Sequence, residues 1–141
     1  VASSGLAFDQ AVELGLDPEK VVVTSRDRAR YYPGAMPMTS LVIIGRKDRR
    51  VLGAQLSGRI ESVKRIDVYV CALSNRMTID QVFDLDLAYA PPFSPVYDPV
   101  LLAARVARKK KYPHQRGELD VQSRVTLGLS SPGCAGAFSL L

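Results

Sequence analysis

The spacing of apolar residues divides this chain into helical and strand-like segments. In residues 7–14 apolar positions recur with helical spacing and Gly15 follows, which predicts a short first helix. Three runs rich in β-branched or alternating apolar residues predict strands: residues 21–24, 38–44 and 51–57. The last two runs flank a polar segment, which is typical of an antiparallel hairpin with a solvated turn. We expect four basic residues to be exposed in that turn: Arg46, Lys47, Arg49 and Arg50.

Helices dominate the pattern after the strands. Residues 61–75 carry apolar side chains at three- and four-residue steps, so they are expected to form the main helix. Thr78 and Gln81 have the spacing of a capping box and therefore begin a second, short helix. Asp98 and Pro99 supply an N-cap and a first-turn proline for a last helix. The order of elements predicts an α+β fold, an antiparallel sheet covered by helices on one side.

Length and charge narrow the class of protein. With 141 residues, 47% of them hydrophobic, the chain has enough apolar material for the core of one domain. The formal net charge is +5. Residues 1–104 hold twelve basic and twelve acidic side chains, whereas residues 105–141 hold seven basic and two acidic ones, so the whole excess lies in the end segment. This distribution argues against a nucleic-acid partner, while a free-standing basic binding protein that uses the end segment stays the alternative. No run approaches the ~20 apolar residues of a membrane span, so no membrane partner is expected.

The residue patterns of most enzyme sites are missing here. The sequence has no glycine-rich dinucleotide fingerprint, no phosphate-binding loop and no HExxH motif. We therefore expect it to hold no metal and, by itself, no flavin or nicotinamide. His114 is the one histidine, and Cys134 has no CxxC partner. Cys71 lies in an apolar helical series that predicts a buried, inert thiol, and this setting opposes a third hypothesis, an independent thiol enzyme acting through Cys71.

Three short motifs carry the strongest signal. They read YYPGAMPMT at residues 31–39, KRIDV at residues 64–68 and LDLAYAPP at residues 85–92. The two prolines after Ala90 fix two φ angles and remove two backbone donors, so Tyr89 is expected on a stiffened corner. In this order the motifs resemble the C-terminal dimerisation domain of the flavin-dependent pyridine nucleotide-disulfide oxidoreductases. Within that family they are most similar to the branch of coenzyme A-disulfide reductase and NADH oxidase.

The resemblance covers about residues 1–108 and carries several implications. FAD and NAD(P)H, together with the redox-active cysteine, would belong to two domains upstream of Val1 in a longer cytoplasmic polypeptide. The enzyme would be a homodimer, in which tyrosines matching Tyr31 and Tyr89 reach the partner's active site near the catalytic thiolate and the coenzyme A sulfur. A coenzyme A disulfide or persulfide would be the substrate, and the choice between disulfide reductase, NADH oxidase and persulfide reductase stays open. Residues 109–141, a basic tail, match nothing in the family and receive no function.

Several polar residues have plainer explanations. Without the resemblance, Tyr89 is expected to be a packing residue whose hydroxyl meets a backbone group. Packing or surface roles are also expected for the other tyrosines: Tyr32, Tyr69, Tyr97 and Tyr112. A structural charge cluster is expected from Lys64, Arg65 and Asp67. Ala7 stands where related sequences usually have threonine, which weakens the start of the first helix by about 1 kcal/mol.

Overall fold

Four strands form one antiparallel sheet in the order β1-β4-β3-β2. The computed structural model describes residues 1–111, apart from the side chains of Ile60 and Lys111. The strands are β1 (Ala2–Gly5), β2 (Pro18–Arg26), β3 (Pro37–Gly45) and β4 (Val51–Ser57). The three predicted strands are confirmed, and β2 is longer than its β-branched centre indicated.

β1 has no counterpart in the sequence-based prediction. Its four residues, ASSG, include no β-branched or aromatic side chain, so their composition does not favour a strand. The segment is extended because it pairs with β4, with Ser4 opposite Ala54 and Gly5 opposite Gly53. Pairing with a neighbouring strand therefore decides the conformation of this segment, not local propensity.

Five helices complete the described part of the chain: α1 (Phe8–Glu13), α2 (Ile60–Val63), α3 (Ile66–Ser74), α4 (Ile79–Phe83) and α5 (Pro99–Lys111). α3, α4 and α5 cover the sheet face that carries Val42 and Leu56, and their buried residues join those of the sheet in one apolar core. α1 contacts β2 instead, where the Lys20 ammonium lies 5.2 Å from the centre of the Phe8 ring. The predicted α+β class and antiparallel sheet are confirmed.

The helix starts show which caps the sequence predicted correctly. Thr78 and Gln81 form the expected capping box: the Gln81 amide donates to Thr78 Oγ1 at 3.2 Å, and the Thr78 amide donates to Gln81 Oε1 at 2.9 Å. Asp98 caps α5, because its Oδ1 accepts from the Val100 amide at 2.9 Å. At α1 the N-cap is Ala7, which offers no side-chain oxygen.

The predicted main helix is in fact two helices, and this prediction was wrong. α2 ends at Val63 and α3 begins at Ile66. Between them the backbone bonds span three residues, as from the Asp67 amide to the Lys64 carbonyl at 3.2 Å. Apolar periodicity continues through the break, so the sequence pattern did not reveal it.

Two side chains have the opposite solvent exposure from the one predicted. Cys71 is exposed, because it follows the buried Tyr69 by about 200° around α3, whereas Ala72 returns to the core. Arg49 was expected in the solvated turn but is buried, with φ of 60°. Its guanidinium donates to the Asp80 carboxylate at 2.7 and 3.2 Å and so ties the β3–β4 turn to α4.

Within residues 1–111, no helix has both the length and the apolar character that crossing a bilayer requires.

Candidate functional site

The Tyr31 loop, residues 27–36, connects β2 to β3. Its ends are held together at Asp27, whose amide donates to the Met36 carbonyl at 3.0 Å and whose Oδ1 accepts from the Met36 amide at 2.9 Å. A turn follows in which the Tyr32 amide donates to the Ala29 carbonyl at 2.9 Å. Tyr31 lies on this turn with 76% of its surface exposed. A closed loop therefore presents the phenol to the outside.

The Tyr89 loop, residues 84–98, connects α4 to α5. Leu85 and Leu87 pack against the core, and after them the chain turns so that Tyr89 is 48% exposed. The Ala90 carbonyl accepts from the amides of both Phe93 and Ser94 at 2.9 Å. These bonds and the two prolines stiffen the corner, as the sequence predicted.

The two tyrosines meet although 58 positions separate them in the chain. A hydrogen bond between the hydroxyls of Tyr89 and Tyr31 raises the pKa of Tyr89 above its ordinary value. A backbone bond also joins the loops, from the Ala29 amide to the Pro91 carbonyl at 3.3 Å. Each phenol has one proton and the bond between them uses one, so the pair keeps a second proton for an outside acceptor.

The two tyrosine loops also carry exposed apolar side chains. The two loops contribute six exposed large side chains: Tyr31, Met36, Tyr89, Phe93, Val96 and Tyr97. We call this set the exposed apolar surface. Phe93 is 76% and Val96 is 70% exposed, which is unusual for groups of that size. A surface of this kind is typical of a protein–protein contact.

A largely buried polar cluster lies beneath the two loops and was not predicted from the sequence. It consists of Asp27, Ser62, Arg65, Ser94 and Asp98. Burial alone would raise the pKa of Asp27, but bonds from the Met36 amide and the Ser62 hydroxyl and the charge of Arg28 lower it below the usual value. The signal available in the sequence was the KRIDV motif, whose arginine is one member of this cluster.

The remaining predicted residues fall in different places. Tyr69 is fully buried, and burial, followed by the nearby Asp98 carboxylate, raises its pKa far above the ordinary range. Tyr97 is half-exposed, with the Arg105 guanidinium 5.2 Å from its ring centre. Lys64 and Asp67 form an exposed ion pair, as expected for a structural cluster. Tyr112, His114 and Cys134 lie outside the described residues.

The described residues do not fit a dinucleotide cofactor. Two connections in residues 1–111 lead from a strand into a helix, and each contains a glycine packed against protein. A Cβ at Gly5 would lie 2.5 Å from the Leu52 carbonyl oxygen, and one at Gly58 would lie 3.3 Å from Met38 Cγ. Neither leaves room for a pyrophosphate on the backbone. Nor does this part of the chain bring together three His, Cys, Asp or Glu side chains that could hold a metal ion.

Comparison with known proteins gives consistent matches. A family model described as the dimerisation domain of the pyridine nucleotide-disulphide oxidoreductases matches residues 1–99. The NAD(P)H sulfur oxidoreductase (CoA-dependent) of Pyrococcus furiosus is 34% identical over 108 residues, which are 77% of this chain and 24% of that protein. The coenzyme A disulfide reductase of Staphylococcus aureus is 38% identical over 78 residues, which are 55% of this chain and 18% of that protein.

The solved structures agree with these sequence matches. The NAD-dependent persulfide reductase from A. fulgidus is similar with a TM-score of 0.74 and 48% identity, over 77% of this chain and 20% of that chain. The chain therefore spans between about a fifth and a quarter of the length of the proteins it matches.

Proposed function

This chain belongs to the pyridine nucleotide-disulphide oxidoreductase family as its dimerisation domain, and we propose that it completes the active site of a partner subunit. In this proposal Tyr31 and Tyr89 of one protomer serve the redox site of the other. The enzyme is a flavin- and NAD(P)H-dependent disulfide oxidoreductase similar to coenzyme A-disulfide reductase, acting in the cytoplasm.

One observation carries the proposal: the two tyrosines meet through their hydroxyls at an exposed surface. A pair held only for packing would bury its rings, but Tyr31 is 76% exposed. Two stiffened loops hold the phenols where another protein chain can reach them. The arrangement therefore supports a role outside the protomer that carries it.

The chemistry of the pair suits a sulfur substrate. A phenol is protonated at neutral pH, and the bond to Tyr31 raises the pKa of Tyr89 further, so Tyr89 remains a proton donor. A donor placed beside a leaving thiolate stabilises the negative charge that develops on sulfur. In this proposal one phenol of the pair donates its proton to the sulfur and the other orients it.

The exposed apolar surface supports a homodimer. A two-fold axis would bring the same surface from both protomers together, as isologous interfaces require. The aromatic side chains Phe93 and Tyr97 are of the type that interface centres favour. The same contact would carry the tyrosine pair of each protomer towards the other.

The relatives support the proposed cofactors and substrate classes. A structural neighbour from Desulfovibrio vulgaris is described as FAD-dependent, and a related oxidase was solved with NADPH bound. Residues 1–111 do not fit a dinucleotide, so we propose that FAD and NAD(P)H bind to upstream domains of the same polypeptide. Relatives named for coenzyme A disulfide and for persulfide make these the proposed substrate classes.

A crystal structure of the complete enzyme with coenzyme A tests the proposal. The Tyr31 or Tyr89 hydroxyl of one protomer should lie within about 3.5 Å of the coenzyme A sulfur bound to the other protomer. Both hydroxyls directed into solvent, with the sulfur contacted by other groups, would refute the role proposed for the pair.

A further inference from the structure

The Arg65 side chain contacts both the Tyr31 loop and the Tyr89 loop. It lies between α2 and α3 and is 14% exposed. Its Nε donates to Asp98 Oδ2 at 2.7 Å, at the end of the Tyr89 loop. Its Nη2 donates to the Asp27 carbonyl at 2.8 Å, at the start of the Tyr31 loop, and also to the Phe93 carbonyl within the Tyr89 loop. One guanidinium therefore contacts both loops at once.

The contacts explain why an arginine occupies this position. Its planar group carries five N–H donors in a fixed fork, so one nitrogen can serve a carboxylate while another serves carbonyls. A third contact, from Nη1 to the Ser62 carbonyl at 3.4 Å, fixes the plane relative to the end of α2. A lysine at this position would keep the charge near Asp98 but could not reproduce the fork.

Each loop is also fixed on its own side of Arg65. Asp27 Oδ2 accepts from the Ser62 hydroxyl at 2.8 Å, and Asp98 Oδ2 accepts from the Ser94 hydroxyl at 3.0 Å. These bonds hold the carboxylates, but neither of them reaches the other loop. Besides the hydrogen bond between the tyrosines themselves, the Ala29–Pro91 backbone bond and the Arg65 side chain join the two loops, and of these two a side-chain substitution can remove only the contacts of Arg65.

We propose that Arg65 is a positioning residue that keeps the Tyr31 and Tyr89 hydroxyls in contact and so tunes the site they form. This inference rests on the proposed function of the tyrosine pair. Arg65 acts through the backbone of both loops and does not itself meet the substrate. The break between α2 and α3 places its guanidinium beneath the loops.

The kinetic test uses the complete enzyme with Arg65→Lys and, as a second variant, Arg65→Gln. We expect Arg65→Lys to fold, because its charge still opposes Asp98, and to lower kcat/KM for the disulfide or persulfide substrate about three- to tenfold. The KM for NAD(P)H should not change, because the nicotinamide binds to another domain. Arg46→Lys is the matched control: Arg46 is exposed, and its surface pair with Asp17 lies at the other end of β3.

A double-mutant cycle separates positioning from simple stabilisation. With Arg65 present, the effects of Tyr31→Phe and Tyr89→Phe should be non-additive, because their hydroxyls touch. In the Arg65→Lys enzyme the effects of Tyr31→Phe and Tyr89→Phe on kcat/KM should become additive. A lower melting temperature with the coupling unchanged would show that Arg65 only stabilises the fold.

The structure of the Arg65→Lys enzyme decides the question without reference to activity. We expect the two hydroxyls to lie beyond hydrogen-bond distance, and hydroxyls still in contact would overturn the inference. If the tyrosine variants are fully active while the hydroxyls separate in Arg65→Lys, the proposed function fails and the positioning role of Arg65 stands.

Discussion

Replacing Tyr89 with phenylalanine in the complete enzyme is expected to lower kcat/KM about ten- to hundredfold. The substitution keeps the ring and removes only the hydroxyl, which shares a hydrogen bond with Tyr31. Without that bond the pair is expected to lose its donation to the developing thiolate, and a hydrogen bond to a charged group contributes about 1.5–3 kcal/mol, which sets the expected range. Because Tyr89 is half-exposed, the melting temperature should change little.

Three further variants complete this experiment. Tyr31→Phe should act in the same direction, and the double variant should lose less than the product of the two single losses. Tyr97→Phe is the matched control, a half-exposed tyrosine of the same loop whose ring meets Arg105. Unchanged kinetics for Tyr89→Phe together with a lower melting temperature would assign Tyr89 to packing.

Replacing Gly53 with alanine is expected to destabilise the domain by about 3 kcal/mol or more. A Cβ at this position would lie 2.1 Å from the Leu6 carbonyl oxygen and 2.8 Å from the Leu6 nitrogen. These are backbone atoms, so no side-chain rotation relieves the clash. Gly53 also pairs with Gly5 on one side and Ile43 on the other, which prevents the strand from shifting.

Calorimetry of the complete enzyme measures this effect as a melting temperature lowered by about 3 °C or more, because a given loss of stability shifts the transition less in a longer chain. Gly15→Ala is the control, since Gly15 has φ of 70° but no atom within 4 Å of its added Cβ. It should show only the backbone strain of a left-handed residue, about 1–2 kcal/mol. Equal melting temperatures for the two variants would contradict the close approach of Leu6 to β4.

The sequence was sufficient for the elements whose own residues specify them. The capping box at Thr78 and Gln81 and the N-cap at Asp98 depend on residues within a few positions, and both are present in the structure. The strands β3 and β4 were predicted within one residue because their apolar patterns are long. β1 was missed because its extended shape comes from pairing with β4.

Long-range contacts account for the wrong predictions. Arg49 is adjacent to exposed basic residues in the chain, yet Asp80, which is 31 positions later, draws it inward. Cys71 shares an apolar series with buried residues, but its angular position on α3 places it outside the core. Neither the long-range partner of Arg49 nor the orientation of Cys71 on α3 can be obtained from amino-acid composition alone.

The candidate site was only partly predictable. Tyr31 and Tyr89 were selected through their corner motifs and the family resemblance, and no local pattern indicated that their hydroxyls would touch. Arg65 was assigned a structural role from the sequence. Its partners, however, are far away in the chain: Asp27 lies 38 positions before it and Asp98 lies 33 positions after it. Such a residue becomes visible only when the fold brings the loops together.

A mixed dimer tests the central claim, that the tyrosine pair serves the partner's site. One tagged subunit carries Tyr31→Phe and Tyr89→Phe, and the other carries a serine in place of the upstream redox-active cysteine. If the pair acts across the dimer, the intact cysteine and the intact tyrosines of this heterodimer meet in one site. The reciprocal control combines all three substitutions in one subunit with a wild-type partner.

Steady-state activity of the purified heterodimers is the deciding measurement. We expect about half of the wild-type activity when the substitutions lie on separate subunits, and only the residual activity of the tyrosine variant when they share one subunit. The opposite result, with half activity only when all substitutions share one subunit, would show that each tyrosine pair serves its own protomer.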